Sequence, residues 1–398
     1  KFILYYFEKY IIIFSRSLIM KFFYYRLHRI NHLFKCYVST SLEENLRMIS
    51  KDLLEVKSRN YDIEKYKTWS LYTSTPESFD QSSTNIFLFP GYGAQYVGMC
   101  RNLVELPQVK RLFESASDYL NYNLLEMCLE GPKDKLNTIS HSHPAIYVAT
   151  IAALEKIKQD EPELIEHCIA AAGYDLGEIS SLVFAGVLSF EQGLHIVRVR
   201  AEEIEKACQN VKGGLLEVKL QPKSGLKKIM MAAKKYCIEK LNIENPVCEL
   251  STNLYTECRI IGGHIEAIEF IQTFANDFYL KSTRIIDSSG AFNTNLMEAA
   301  VKPCQIALRD IGEINKQKVI VFSNATGNLY TPICRFKKLI GEQISKPIQW
   351  EQIIMRMYMR PKLSGQPRTI EIGSGSFLKK TVKNVNAIAA KNYRIFQF

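Results

Sequence analysis

Gly173, Asp175 and Gly177 lie at alternate positions between a short apolar run and a helical stretch. A strand, a tight turn and a helix with the spacing G-x-D-x-G form the frame of a nucleophile elbow, in which two glycines permit the turn and the central side chain points outward. Ser is the usual central residue, because its hydroxyl attacks an acyl carbon once a base accepts its proton. The frame is therefore present here, but with a carboxylate as its central group.

A nucleophilic elbow residue needs a base, and in enzymes with this chain order the base is a histidine late in the sequence. No histidine follows residue 264; the seven are His28, His32, His141, His143, His167, His195 and His264. His195 on a predicted helix and His264 at a predicted strand end are the candidates to replace it. Neither has the expected place in the chain, so the sequence lacks a base where the elbow requires one.

Short apolar runs alternate with longer amphipathic stretches after residue 85, which predicts an α/β fold. Apolar runs before small-residue turns predict strands at 86–89, 168–172, 319–323 and 369–372, with a helix at 178–185. Residues 213–292 differ, because their pattern predicts a strand, a helix, two strands, a helix and a strand. That order is the ferredoxin-like split unit, which we expect as an insert in the larger domain.

Residues 1–42 carry seven Lys or Arg and one acid, Glu8, and supply +6 of the formal net charge of +10. Charged residues keep the apolar runs below the roughly 18 to 20 residues of a membrane helix, so we expect no membrane span. Because the sequence begins with Lys, we expect 1–19 to be upstream translated sequence and Met20 to be the start. Residues 20–42 are basic, apolar and free of acids, which is typical of a mitochondrial transit peptide; a basic surface arm is the alternative.

The rest of the chain divides by its pattern into a connecting segment and a folded body. Helical spacing predicts a surface helix at 43–66, and a Ser- and Thr-rich stretch predicts a linker at 70–85. We expect a leader at 1–42, followed by a helix and linker at 43–84. The first part of a large α/β subdomain is then expected at 85–212, a small ferredoxin-like subdomain at 213–292, and the second part of the large subdomain at 293–398.

Charge and cysteine usage exclude two further classes of protein. The 356 residues after the leader carry only +4, which is too little for the concentrated basic face of a nucleic-acid-binding protein. The ten cysteines contain no C-x-x-C, and the nearest pair, Cys248 and Cys258, are ten residues apart. That spacing fits neither a zinc site nor a redox dithiol, so we expect no metal and free thiols in a reducing compartment.

Seven stretches across residues 85–385 resemble the malonyl-CoA:acyl carrier protein transacylase family, especially its animal mitochondrial form. They are FPGYGAQYVGM at 89–99, AGYDLGEISSLVFAGVLSFEQGL at 172–194, VRVRAE at 197–202, NPVCELSTNLYTECRIIGGH at 245–264, SGAFNTNLMEAAV at 289–301, PIQWEQ at 347–352 and EIGSG at 371–375. The resemblance implies a hydrolase-like α/β core with a parallel sheet, an inserted ferredoxin-like α+β subdomain, and an active site in the cleft between them.

The resemblance also implies a reaction and its partners. Family members transfer malonyl from coenzyme A to the phosphopantetheine thiol of acyl carrier protein through an acyl-serine, here in mitochondrial fatty acid synthesis in the matrix. The coenzyme A ester is a substrate, and no cofactor is implied. The family's nucleophilic Ser falls on Asp175 and its catalytic His on Asn293, so both reacting groups are replaced.

The binding groups of the family are all matched in this sequence. The oxyanion donors fall on the backbone N–H of Leu176 and on the Gln95 region of the first loop. Arg200 has the position of the guanidinium that binds the malonyl carboxylate, and Gln349 that of the residue whose backbone steadies the catalytic His. The resemblance therefore implies a site that keeps its binding groups and lacks its nucleophile and base.

A carboxylate is a poor replacement for the elbow serine in acyl transfer. Attack of Asp175 on a thioester would form an acid anhydride, which is higher in energy than the thioester. A malonyl carboxylate about 5 Å from Asp175 would be repelled by ~3 kcal/mol at an effective dielectric near 20. The same arithmetic favours an ion pair between Asp175 and Arg200, in the place of the malonyl carboxylate. As an N-cap of the next helix, Asp175 is expected to leave the fold stable.

Three interpretations of function follow. The first is a pseudoenzyme of the transacylase family that binds coenzyme A esters or carrier protein and has lost most acyl transfer. The second is an active malonyltransferase with a sequence error or an unusual mechanism at Asp175 or Asn293. The third is a non-enzymatic interaction scaffold.

A Lys-rich helix either meets an acidic carrier protein or is only a solvated face; its lysines are Lys223, Lys227, Lys228, Lys234, Lys235 and Lys240.

Overall fold

The computed structural model describes residues 81–398 except 331–332, 360–364, 374 and 376. The predicted leader, the helix at 43–66 and most of the linker lie outside the described residues. Within the described part, no helix is long and apolar enough to cross a membrane. Eight cysteines of this part of the chain are free thiols, and seven of these eight are buried.

The described residues contain nine strands and thirteen α-helices. The strands are β1 (Asn85–Phe89), β2 (Cys168–Gly173), β3 (Gly213–Lys219), β4 (Cys248–Tyr255), β5 (Cys258–His264), β6 (Ser282–Ile286), β7 (Ile320–Val321), β8 (Arg368–Ile372) and β9 (Tyr393–Phe396). The helices are α1 (Pro107–Leu120), α2 (Leu124–Glu130), α3 (Lys133–Leu136), α4 (Ile139–Asp160), α5 (Pro162–Glu166), α6 (Gly177–Phe184), α7 (Phe190–Asn210), α8 (Leu226–Leu241), α9 (Ile265–Thr273), α10 (Glu298–Asp310), α11 (Phe336–Gln343), α12 (Trp350–Tyr358) and α13 (Phe377–Val385).

A five-stranded parallel sheet with the order β7-β2-β1-β8-β9 forms the larger layer. Strand β1 is buried along its whole length, as expected for an apolar run in a parallel sheet that is covered on both faces. Helix α4 is buried over most of its surface and packs against α7, so its apolar residues extend right around the helix. All four predicted strands of this sheet are present, although β7 spans only two residues of the predicted run.

The segment that was expected to be inserted forms a second sheet with the order β4-β5-β3-β6, in which every neighbouring pair is antiparallel. Helices α8 and α9 pack together over it, and its core includes Leu216, Ile261 and Ile268. This strand order with two helices is that of the ferredoxin-like fold. The predicted α/β class with a parallel sheet and a ferredoxin-like unit is therefore confirmed.

The two sheets approach each other beside the carboxyl end of β2. Thr252 of β4 forms a parallel bridge with Ile348, which lies just before α12. The loops after β1 and β2 lie at the same edge of the parallel sheet, because parallel strands all point in one direction. This edge faces the small sheet and contains the elbow.

Candidate functional site

The elbow connects β2, which ends at Gly173, to α6, which begins at Gly177. A Cβ atom on Gly173 would lie 1.8 Å from the backbone of Gly177, and one on Gly177 would lie 2.5 Å from the carbonyl oxygen of Phe89. Both distances exclude any larger residue. Asp175 at the centre has a φ of 52°, a left-handed conformation. The glycine frame of the sequence therefore forms the expected tight turn.

Asp175 does not cap the following helix, so that expectation was wrong. Leu176 is the N-cap of α6, and no side chain caps this helix end. The backbone suits these side chains in another way, because Asp175 and Asn293 have φ angles of 52° and 57°. Asp and Asn are among the few side chains that adopt the left-handed region readily.

The carboxylate of Asp175 forms a buried ion pair with Arg200 of α7. The Nη2 atom of Arg200 donates to Oδ1 of Asp175 at 2.5 Å, and the two side chains are 2% and 7% exposed. This is the contact expected from the sequence. The guanidinium that the resemblance assigns to a substrate carboxylate thus already holds a carboxylate of the protein.

His143 of α4 lies next to this pair, and its place in the site was not predicted from the sequence. Its Nδ1 atom is 3.4 Å from Nη1 of Arg200. Complete burial, and then the charge of Arg200, lower the pKa of His143 to about 3. The imidazole is therefore neutral at physiological pH. Among the described residues its Nε2 atom has no hydrogen-bond partner.

Asn293 is held by Gln343, not by Gln349 as expected. The Nδ2 atom of Asn293 donates to the carbonyl oxygen of Gln343 at 2.9 Å. Gln349 instead precedes α12, where its N–H donates to the carbonyl oxygen of Asn324 and its carbonyl accepts from Ile353. A backbone acceptor leaves no side-chain signature, so the sequence could not distinguish two glutamines six residues apart.

Asn324 supports the elbow directly through hydrogen bonds, and Glu178 supports it by bonding to Asn324. Neither residue was predicted from the sequence to belong to the site. The Oδ1 atom of Asn324 accepts from the N–H of Asp175 at 3.0 Å, and its Nδ2 atom donates to the carbonyl oxygen of Gly173 at 2.7 Å. Glu178 Oε1 accepts from the N–H of Asn324 at 3.0 Å and from the hydroxyl of Tyr330. Burial raises the pKa of Glu178 to about 8, so this carboxyl is largely protonated at neutral pH.

The two expected oxyanion donors lie in adjoining loops. Leu176 directly follows Asp175 and starts the turn into α6. Gln95 lies in the loop after β1, where its Oε1 atom accepts from Gly93 and its Nε2 atom donates to Asn137. The loop packs on the elbow, since a Cβ on Gly91 would lie 3.0 Å from the Cβ of Asp175. Their role as an oxyanion pair stays a prediction.

A cavity of about 260 Å³ opens between the elbow and the small sheet. Asp175 and Asn293 line it together with residues of the first loop, the small sheet and α13; Arg200 is absent from the described lining residues. His195 and His264 are not among the described lining residues either. His195 bonds to Tyr119, and His264 accepts from the N–H of Val247. Asp175 and Asn293 therefore line the same cavity, and no histidine is among its described lining residues.

No group of three or more His, Cys, Asp or Glu in the described part of the chain could hold a metal ion.

Comparison with known proteins identifies relatives of this arrangement. The acyl transferase domain family matches residues 86–235. The human mitochondrial malonyl-CoA-acyl carrier protein transacylase is 42% identical over 309 residues, which cover 78% of this chain and 79% of the relative. The Drosophila melanogaster protein named as the probable mitochondrial form is 37% identical over 315 residues, covering 79% and 83%.

A solved structure agrees with the fold. The malonyl CoA-acyl carrier protein transacylase of Clostridium perfringens matches with a TM-score of 0.67 at 26% identity, over 79% of this chain and 93% of that chain. The human and Drosophila relatives are both more than 30% identical to this chain, which covers more than two thirds of each. The elbow and the two-sheet architecture agree with this relationship. The chain belongs to the malonyl-CoA:acyl carrier protein transacylase family.

Proposed function

We propose that this protein is a mitochondrial member of the family that binds coenzyme A esters and acyl carrier protein but has lost malonyl transfer. The observation that carries the proposal is the buried ion pair between Asp175 and Arg200. It occupies two functional groups at once, since the elbow side chain is held as an anion and the guanidinium is no longer available to a substrate.

The replaced groups support a loss of catalysis in two separate ways. A carboxylate paired with a guanidinium is a weak nucleophile, and its attack on a thioester would produce an anhydride. Asn293 cannot replace a histidine base, because an amide nitrogen does not accept a proton near neutral pH, and its Nδ2 atom donates to Gln343. Loss of the Ser or the His of a hydrolase triad alone costs on the order of a millionfold in turnover.

The binding part of the proposal is supported by what the chain retains. The cavity lies beside the elbow and between the two sheets, with the loop of Gln95 at its rim. The human and Drosophila relatives are named as mitochondrial proteins, and the composition of residues 20–42 is typical of a transit peptide. We therefore assign the protein to mitochondria, in the matrix, with a coenzyme A ester as ligand and no cofactor of its own.

Incubation with radiolabelled malonyl-CoA and acyl carrier protein tests the proposal. We expect no labelled carrier protein above background, with the human relative as the active control, while calorimetry detects binding of coenzyme A. Carrier acylation at a rate near that of the control would restore the interpretation of a working transferase. Absence of binding to both coenzyme A and carrier protein would instead favour a scaffold without a ligand. Sequencing of a fresh transcript over codons 175 and 293 excludes a sequence error.

Carrier protein docking is proposed at the Lys-rich helix α8. Lys227 and Lys228 are exposed near its N-terminus, and an acidic partner would be attracted to them. Lys228→Glu should then weaken carrier binding, whereas Lys110→Glu, an exposed lysine on α1, should not. Equal affinities of the two variants would leave α8 as a solvated face.

A further inference from the structure

We propose that the cavity beside Asp175 accepts an uncharged acyl group, such as acetyl, and excludes malonyl. This inference rests on the proposed function, because it requires that a coenzyme A ester enters the cavity. It goes further in naming the class of acyl group and the residues that select it.

The guanidinium that could attract an acyl carboxylate is screened from the cavity. Asp175 lines the cavity and Arg200 is not among the described lining residues. Asp175 bonds to this guanidinium at 2.5 Å, so the member of the pair that lines the cavity is the carboxylate residue. An entering anion would meet the negative member of the pair first.

The other charged residues of the wall do not compensate. Arg284 is the only cationic residue among the described lining residues, and its Nη2 atom donates to Oε2 of Glu217 at 2.8 Å. Glu217 is itself a lining residue, so this positive charge is balanced within the wall. The cavity therefore offers no uncompensated cation to a substrate carboxylate.

A third carboxyl group lies at the end of the wall near α13. Glu371 lines the cavity and accepts from the hydroxyl of Tyr393 at 2.6 Å and from the N–H of Lys379 at 3.2 Å. Burial raises the pKa of Glu371 to about 7, so it is partly ionised at neutral pH. An anionic acyl group in the cavity would be repelled by the ionised carboxylate of Glu371, because like charges repel more strongly near buried groups than in bulk water.

The uncharged part of the wall suits an apolar acyl group. Apolar and aromatic side chains of the small sheet, of two loops and of α13 line the cavity, and they include Tyr92, Leu215, Ile260, Ile286, Phe292 and Leu378. A methyl group gains by leaving water for such a surface, whereas a carboxylate loses its hydration without a partner. The wall and its charges thus favour the same class of ligand.

Calorimetric titration of the full chain with coenzyme A, acetyl-CoA and malonyl-CoA tests the inference. The three ligands share the nucleotide and the pantetheine arm, so differences between them isolate the acyl group. We expect acetyl-CoA to bind at least about tenfold more tightly than malonyl-CoA. In Asp175→Asn the guanidinium of Arg200 loses its anionic partner. The affinity for malonyl-CoA should then rise at least about tenfold relative to the affinity for acetyl-CoA. The double variant Asp175→Asn with Arg200→Gln should lose that gain.

Asp118→Asn on α1 removes an exposed carboxylate and serves as the matched control, for which we expect the ratio of the two affinities to be unchanged. If Asp175→Asn does not fold, Glu371→Gln provides the second variant. In this variant we expect the affinity for malonyl-CoA to rise a few fold. Malonyl-CoA binding as tightly as acetyl-CoA would overturn the inference, and so would equal binding of all three ligands. No binding of coenzyme A at all would instead overturn the proposed function.

Discussion

The Nε2 atom of Gln343 donates to the carbonyl oxygen of Asp175 at 2.8 Å. The carbonyl oxygen of the same glutamine accepts from Asn293 at 2.9 Å. One residue at the end of α11 therefore holds the backbone of the nucleophile position and the side chain of the base position. Gln343 thus links the elbow residue Asp175 to Asn293 through two separate atoms, its side-chain amide and its backbone carbonyl.

Restoring both reacting groups should restore an acyl-enzyme. In Asp175→Ser with Asn293→His, the serine replaces the partner of Arg200, and an imidazole N–H can donate to the carbonyl of Gln343 in place of Asn293 Nδ2. We expect acid-stable label from malonyl-CoA to form at least about a thousandfold faster than in the parent chain, since nucleophile and base act as a unit. Quenched-flow trapping of labelled protein measures the rate.

The single variants are the controls for this experiment. Asp175→Ser alone and Asn293→His alone should each gain little, because either one leaves the other reacting group missing. If the double variant binds malonyl-CoA but forms no acyl-enzyme, the framework around Gln343 no longer positions the pair, and the conclusion drawn from that connection is incorrect.

The pair of Asp175 and Arg200 should matter strongly for stability when only one partner is removed. Arg200→Met leaves a buried carboxylate without its counter-ion, and we expect the free energy of unfolding to fall by about 3 to 5 kcal/mol. Asp175→Asn with Arg200→Met removes both charges and should recover most of the loss. Urea denaturation of these two variants, of Asp175→Asn alone and of the parent chain completes a double-mutant cycle.

Arg198 on the same helix provides a matched comparison. It pairs with Glu202 at 2.9 Å, but these side chains are 35% and 43% exposed. Arg198→Met should therefore cost at most about 1 kcal/mol. A loss in Arg200→Met no larger than this would show that the buried pair is not held in the folded protein.

Much of this architecture was predictable from local sequence pattern. The glycines around Asp175 specify a turn that no larger residue can form, and the order of apolar runs in 213–292 specifies the small sheet. The ion pair with Arg200 was also predictable, because two opposite charges assigned to one pocket attract each other at close range.

The supporting contacts were not predictable, for a physical reason. Asn324 acts on the elbow backbone from 149 residues away, and its own sequence context is that of an ordinary turn. Gln343 acts through its carbonyl, a group that every residue carries. His143 enters the site only because α4 crosses beside α7, which depends on helix packing.

Glu178 should make stability fall as pH rises. Its pKa is about 8 when folded against an ordinary 4.5, so between these values the unfolded chain binds fewer protons and unfolding becomes easier with increasing pH. Folded His143 is neutral here, while the unfolded imidazole, with its ordinary pKa of 6.5, loses its remaining protons above pH 6.5, so its opposing contribution fades as pH rises. Glu178→Gln should reduce the slope between pH 6.5 and 8 by up to ~1.4 kcal/mol per pH unit.

Urea midpoints at three pH values in this window measure the slope. Glu371 adds to it in the same direction, since burial raises its pKa to about 7. Glu114→Gln, an exposed position on α1, is the control and should retain the parent slope. An unchanged slope in Glu178→Gln would mean that this carboxyl is ionised in the folded protein.

Asn324 should be the side chain on which the elbow backbone depends. Asn324→Ala removes the acceptor for the N–H of Asp175 and the donor to the carbonyl of Gly173, and both backbone groups stay buried. Each unsatisfied group costs roughly 1 to 3 kcal/mol, so we expect a loss of at least about 2 kcal/mol by urea denaturation. Asn295→Ala, which removes one exposed side-chain bond to Glu249, should cost less than about 1 kcal/mol. Equal losses in the two variants would mean that the turn is held by its glycines alone.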